Sequence, residues 1–142
     1  MDDERAIQRL ITTYSQSGSI GNWDTTVATY LPDGTWSIPH LGMSFTGHEA
    51  LRGALSAFFA TMDYVIQMNA PALIEVSGST ATARSAIREC GKSAGKPEGF
   101  EYFGFYQDEL VKTADGWRFK LRLFEGVGSS MYPLLETSQA HG

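Results

Sequence analysis

The stretch from Gly99 to Gly126, GFEYFGFYQDELVKTADGWRFKLRLFEG, restricts the fold of this chain more than any other. Its first half carries Phe100, Tyr102, Phe103, Phe105, Tyr106, Leu110 and Val111, the aromatic and branched types that suit a pleated surface. Ala114-Asp115-Gly116 supplies a turn, with glycine free to take positive φ. Trp117 to Phe124 returns as a strand. Strict alternation puts Trp117, Phe119, Leu121 and Leu123 on one side and Arg118, Lys120, Arg122 and Phe124 on the other. Such a hairpin needs partner strands and a cover for one face. Arg122, sharing a face with Phe124, needs a partner or an opening to water.

The rest of the chain supplies strands and cover. Asp2 to Ser17 reads as a helix, with Ile7, Leu10, Ile11 and Tyr14 on one apolar face and Gly18 as its stop. Asn22 caps a second helix over Trp23 to Leu31, closed by Pro32-Asp33-Gly34. Thr35 to Pro39 reads as a strand with Trp36, Ile38 and His40 on one face, Leu41-Gly42 as a turn and Met43 to Phe45 as a return. Thr46 with Glu49 makes a capping-box pattern for a third helix, Gly47 to Thr61. Tyr64 to Val76 is a long strand with a break at Asn69-Ala70-Pro71. Thr80 to Gly91 pairs next, and Gly91 to Gly99 is a polar, mobile loop. Residues 1–128 thus form one domain, and residues 129–142 a tail that closes over something or packs on a second subunit. The order α-α-β-β-α-β-β-β-β, with helices in the first half and long strands last, predicts α+β: a cone-shaped barrel of three helices on a strongly curved antiparallel sheet.

Composition narrows the partners. The chain has 142 residues, 42% hydrophobic and 12% aromatic, enough for a real core. A net charge of −5 with no basic run argues against nucleic acid. The single cysteine, Cys90, allows no intramolecular disulfide and favours the cytoplasm. The charged start lacks an apolar signal core, and no apolar run reaches membrane-spanning length. There is no metal-ligand spacing, no glycine-rich phosphate loop and no nucleophile elbow, so no metal or other cofactor is expected.

The segments AIQRLITTYSQSGSIGNWD, YLPDGTWSI, SFTGHEAL, LIEVSGSTATA and FGFYQDELVKTADGWRFKLR, in this order, resemble the SnoaL-like family of the nuclear-transport-factor-like cone-fold superfamily. The resemblance runs from Ala6 to Gly126. It implies the company of polyketide cyclases, scytalone dehydratase, bile-acid dehydratase and a dehydrochlorinase, and a homodimer formed through the outer face of the sheet. Family dehydratases often pair an Asp at the end of the first helix with a His on the first long strand. Here those positions align with Ser19 and Gln67, which cannot exchange protons near neutral pH and can only orient by hydrogen bonds. Tyr14 aligns with a functional tyrosine, Trp36 with an aromatic lining residue, Glu89 with a catalytic carboxylate and Arg122 with an arginine used by the dehydrochlorinase.

Each candidate has a bland counterpart. Glu89 shares a face with Ala83, Ser85 and Ile87, opposite Arg84 and Arg88. It is either a buried carboxylate with a raised pKa or a rim residue bridged to Arg122 or Lys92. Arg122 either holds a substrate oxyanion or is a structural partner of Glu89 or Asp108. His40 is a proton carrier or a turn residue facing solvent. Tyr14 is explained by core packing alone, though a buried hydroxyl needs a partner. Gln67 and Asn69 share a strand face and form either a substrate-orienting pair or a satisfied bulge. Phe58 and Met62 are core residues that also line the superfamily's cavity, and Asp24 and Asp108 read as surface charges.

Three functions follow. The first is a cofactor-independent cyclase, dehydratase or isomerase acting on a hydrophobic, oxygenated small molecule such as a polyketide- or terpenoid-like intermediate. In it Glu89, His40, Arg122 and Tyr14 do the chemistry, and Trp36, Gln67, Asn69, Ser19, Phe58 and Met62 hold the substrate. The second is a non-catalytic ligand-binding protein or a subunit of an oxygenase-type complex, since the dyad is replaced. The third, epoxide opening, needs a second carboxylate; Glu125 qualifies only if the strand is bulged.

Overall fold

The computed structural model describes residues 2–135. The elements run α1 (Asp3–Ser19), α2 (Trp23–Ala28), β1 (Tyr30–Ile38), a 3-10 turn (Pro39–Leu41), β2 (Met43–Thr46), α3 (His48–Ala60), β3 (Met62–Asn69), β4 (Leu73–Ser77), β5 (Thr80–Ser93), β6 (Glu98–Thr113) and β7 (Gly116–Pro133). The sheet is ordered β2-β1-β7-β6-β5-β3, with β4 on the same edge of β5 as β3. Three helices pack on this open, curved sheet, the α+β cone that the element order predicts. One contact is parallel: β1 lies beside β7, with Trp36 opposite Arg122, so the seven-stranded sheet is mixed rather than antiparallel throughout. No helix among the described residues is long and apolar enough to cross a membrane.

Local chemistry explains the boundaries. Asp2 caps α1 through its side chain, which accepts from the Arg5 amide at 2.8 Å. Gly18 does not stop the helix; it is buried inside the last turn, where a side chain would press on Gln67. α2 ends at Ala28, three residues earlier than expected, because Tyr30 already pairs with Phe119 of β7. The Thr46–Glu49 capping box does not form. Gly47, at φ 90°, holds the cap position of α3, a conformation that suits glycine, and Thr46 instead closes β2. The break at Ala70-Pro71-Ala72 divides the edge strand into β3 and β4. β5 and β6 run further than their sequence suggests, leaving only Ala94 to Pro97 as a loop. Ser129 to Pro133, read from sequence as tail, continue β7; the rest of the expected tail beyond Leu135 lies outside the described residues.

The hairpin departs from strict alternation at two points on β7. Phe119 pairs with Leu110 and Leu121 with Glu109, so Lys120 is an extra residue. Val127 is a second extra residue, between Gly126 and Gly128. The first bulge turns the strand over, so that Trp117, Phe119 and Arg122 are all buried while Lys120 is exposed. The core gathers Ile7, Ile11 and Tyr14 of α1 with Leu51 and Leu55 of α3, Tyr106 and Leu110 of β6, and Phe119. Asp3 ties α1 to the hairpin, accepting from Trp117 Nε1 at 3.0 Å and from Lys112 Nζ at 2.9 Å.

Candidate active site

Between the helices and the inner face of the sheet lies a cavity of about 240 Å3. Its walls are mostly aromatic: Trp23, Trp36, Phe58, Phe59, Tyr102, Tyr106 and Phe124. The unbroken alternation of β5 buries Ala83, Ser85 and Ile87 and carries Glu89 to the same side. Glu89 faces Gln67 across one neighbouring strand and Tyr102 across the other, so the three residues form a row over β3, β5 and β6. Gln67, Glu89 and Tyr102 all line the cavity.

Neither cation expected beside Glu89 is there. Lys92 pairs with Asp63 at the surface, and Arg122 pairs with Asp108. Burial alone acts on Glu89 and pushes its carboxyl up to about 7. The group therefore exchanges its proton near neutral pH, the property a general acid or base requires.

Arg122 is fully buried and does not line the cavity. Its Nε and Nη2 donate to the two carboxylate oxygens of Asp108 at 2.8 and 3.1 Å, a bidentate bridge. The guanidinium is also sandwiched by aromatic rings, 3.7 Å from the Tyr106 centroid, 4.4 Å from Phe119 and 4.6 Å from Tyr14. Burial, the largest single influence, lowers its pKa; Asp108, Tyr106 and Tyr14 together outweigh that and hold it above the ordinary value. Arg122 is thus the structural partner of Asp108 rather than of Glu89. Asp108, read from sequence as a surface charge, is 2% exposed.

Tyr14 is buried, yet its ring also forms part of the cavity wall. It stands edge-on to Tyr30, Tyr106 and Phe119. Burial raises its pKa; Arg122 and the Tyr106 and Tyr30 hydroxyls pull it part of the way back. Burial raises Tyr30 and Tyr106 well above the ordinary phenol range. All three phenols keep their protons at neutral pH. The field of Glu89 reaches both Tyr14 and Tyr106.

His40 sits at the rim on the 3-10 turn, against the ring of Phe124 at 5.7 Å between centroids. Gly126 makes room for it: a methyl group at 126 would stand 2.7 Å from His40 Cε1. Trp36, Phe58 and Met62 line the cavity as expected positions on β1, α3 and β3. Ser19 and Asn69 do not. The Ser19 hydroxyl accepts from the Gln67 amide at 2.9 Å and donates to the Ser15 carbonyl at 2.8 Å, pinning α1 to β3. Asn69 lies two residues past Gln67 and donates to the Ala70 carbonyl. Glu125 stays on the outer side, bonded to Gln107, because the bulge at Lys120 precedes Arg122 and moves both together. Tyr106 and Tyr102 had no place in the expected site, although Tyr106 alternates with Asp108 and Leu110 on one strand face. Among the described residues no group of His, Cys, Asp and Glu is placed to hold a metal ion.

The model of the SnoaL-like domain matches residues 1–122. The chain belongs to the SnoaL-like family. None of the curated proteins matches it significantly. Among solved structures it is similar to a Novosphingobium aromaticivorans protein provisionally described as an aromatic ring hydroxylase (20% identity, 92% of this chain and 93% of that one, TM-score 0.84). A second protein of that organism, provisionally described as a scytalone dehydratase, matches at 23% identity over 92% and 88%, TM-score 0.82. A hexachlorocyclohexane dehydrochlorinase, LinA type 2, matches at 16% identity over 94% and 89%, TM-score 0.81. At these identities the likeness establishes the fold. The SnoaL-like cone here keeps a partly open cavity, with a serine and a glutamine where the resemblance would place an acid–base pair.

Proposed function

We propose that this SnoaL-like protein is a cofactor-independent acid–base enzyme, a dehydratase, isomerase or cyclase acting on a hydrophobic oxygenated small molecule. The observation that carries this reading is a carboxylate, Glu89, in an apolar cavity with no cation beside it and with phenol donors near it. Glu89 takes a proton from the carbon next to a carbonyl, and the electron pair moves to the carbonyl oxygen. A phenol hydroxyl, Tyr14 or Tyr106, donates to the enolate oxygen that develops. The Glu89 proton then returns to another carbon, giving isomerisation, or to a departing hydroxyl, which leaves as water. Gln67, opposite Glu89, orients a substrate oxygen; His40 exchanges protons at the rim. Provisional dehydratase and established dehydrochlorinase neighbours on the same fold agree with a lyase-type reaction.

The test needs no known substrate. Cyclic ketones incubated with the protein in D2O should exchange α-protons faster than without it, followed by NMR. Glu89→Gln should lose about a hundredfold to ten-thousandfold of that acceleration. Full exchange by the variant would sink the assignment. A non-catalytic subunit is the second reading, favoured by the apolar side chains on the outer sheet face. It predicts that the protein purifies only with a larger partner.

A further inference from the structure

We propose that the cavity is a binding site for a hydrophobic organic cation, an ammonium carrying aryl or alkyl groups, with its charge against the Glu89 carboxylate and its carbon groups against the aromatic wall. This goes beyond the acid–base reading and does not depend on it. Both use Glu89, so a bound ammonium competes with a carbonyl substrate for the same carboxylate.

Charge comes first. Among the described residues Glu89 is the one carboxylate that lines the cavity, and no lysine or arginine lines it. Arg88, Lys92 and Arg122 are committed to Glu101, Asp63 and Asp108. An ionised carboxylate in apolar surroundings costs free energy until a counter-charge arrives. An entering cation supplies that charge, whereas an anion adds to the cost. Burial pushes the Glu89 carboxyl up to about 7; an ammonium beside it favours the ionised form and displaces the proton.

The kind of cation follows from the walls. A metal ion needs several ligands, and among the described residues no group of His, Cys, Asp and Glu is placed to hold one. A single carboxylate amid rings suits an organic cation, whose carbon groups the rings can cover. Trp36 stands at 76° to Phe58 and Trp23 at 79° to Phe59, and all four line the cavity. Two planes so crossed share only a line, so a ligand off that line looks onto the face of at least one ring in each pair. Ring faces carry the negative charge that attracts a cation. Tyr102, opposite Glu89 on β6, adds a ring beside the carboxylate.

Three probes of one shape test this by calorimetric titration. They are p-(hydroxymethyl)phenyltrimethylammonium, whose charge is permanent; its carbon isostere, p-tert-butylbenzyl alcohol; and p-(hydroxymethyl)benzenesulfonate. At about pH 8 the ammonium should bind at least about tenfold more tightly than the alcohol, and the sulfonate most weakly. At about pH 5.5 Glu89 carries its proton, and the ammonium should lose most of that advantage. The titratable groups that share the cavity with Glu89 are Tyr14 from α1, His40 from the 3-10 turn, and Tyr102 and Tyr106 from β6. Glu89→Gln leaves all four in place. This variant, with its fold checked by circular dichroism, should bind the ammonium about tenfold more weakly at about pH 8 and show no pH dependence. Absence of ammonium binding, alcohol or sulfonate binding as tight as the ammonium, or an ammonium advantage that Glu89→Gln retains, overturns the inference. Ketone exchange in D2O that stays at background while the ammonium binds removes the catalytic reading and leaves this site; exchange without ammonium binding removes the site alone.

Discussion

Glu89 carries the protein's clearest conflict between stability and use. Its carboxyl sits at about 7 in the fold because burial disfavours the charge. A folded value above the unfolded one means that the fold binds the proton more tightly. The wild type therefore keeps its full stability below about pH 4.5 and loses it as pH rises through about 7. The loss amounts to about 3 kcal/mol at most. Glu89→Gln should match the wild type in urea denaturation at pH 4.5 and exceed it by up to about 3 kcal/mol at pH 8. Equal stabilities at pH 8 would mean that the carboxylate is solvated. Arg122 and Asp108 show the opposite balance. Removing one partner strands a buried charge, so Asp108→Asn or Arg122→Met should cost about 3–5 kcal/mol at pH 7, measured the same way. Glu89 was legible in the sequence because the alternation of β5 never breaks. The pairing of Asp108 with Arg122 stood in the sequence as one of two options, but its burial did not, since one acidic residue in an apolar strand looks like a surface charge until the strand that bears its arginine is in register.

β7 shows where pattern reading stops. Its residue types announce a strand, and Arg122 and Phe124 do share a face. What the pattern cannot state is that Lys120 is surplus, which puts Trp117 and Phe119 on that face as well. Deleting Lys120 would remove the bulge and leave Trp117, Phe119, Arg122 and Phe124 on one face by plain alternation. Such a deletion should therefore keep the near-ultraviolet circular dichroism of the folded protein and its cooperative unfolding; loss of both would mean that the bulge itself is required. Lys120→Ala should change stability by less than about 0.5 kcal/mol. The helices were readable to within a few residues because their apolar faces repeat. Their ends were not, since Tyr30 obeys β7 rather than its own neighbours, and a glycine rather than Thr46 caps α3.

At the scale of the molecule, the cone leaves its outer face unfinished. Ile66 (53% exposed), Met68 (44%), Phe103 (38%) and Val127 (63%) stand on it, and the Arg84 guanidinium lies over the Phe105 ring. Water contact over so much apolar surface is uncommon for a monomer. A homodimer through this face is what the resemblance implies; Phe103→Lys with Met68→Lys should then shift the sedimentation coefficient from that of a dimer to that of a monomer. A wild-type protein that sediments as a monomer would remove the dimer. The fold could be read from element order because layers follow from which faces are apolar. The cavity's chemistry could be read only in part, because the positions at which the resemblance would place an acid–base pair hold Ser19 and Gln67 here, and the distances among the remaining polar groups are a property of the folded, curved sheet.

The parallel contact between β1 and β7 has a temporal side. β1 and Trp36 leave the ribosome long before the strand that will hold them, and β2 is their only earlier sheet partner. Closing so long a loop comes late and slowly in folding. During synthesis the aromatic lining of the future cavity therefore stays open to water and to other nascent chains. A chain halted before Gly116 should aggregate rather than fold, and the growing protein is a natural client for a chaperone that recognises exposed aromatic strands.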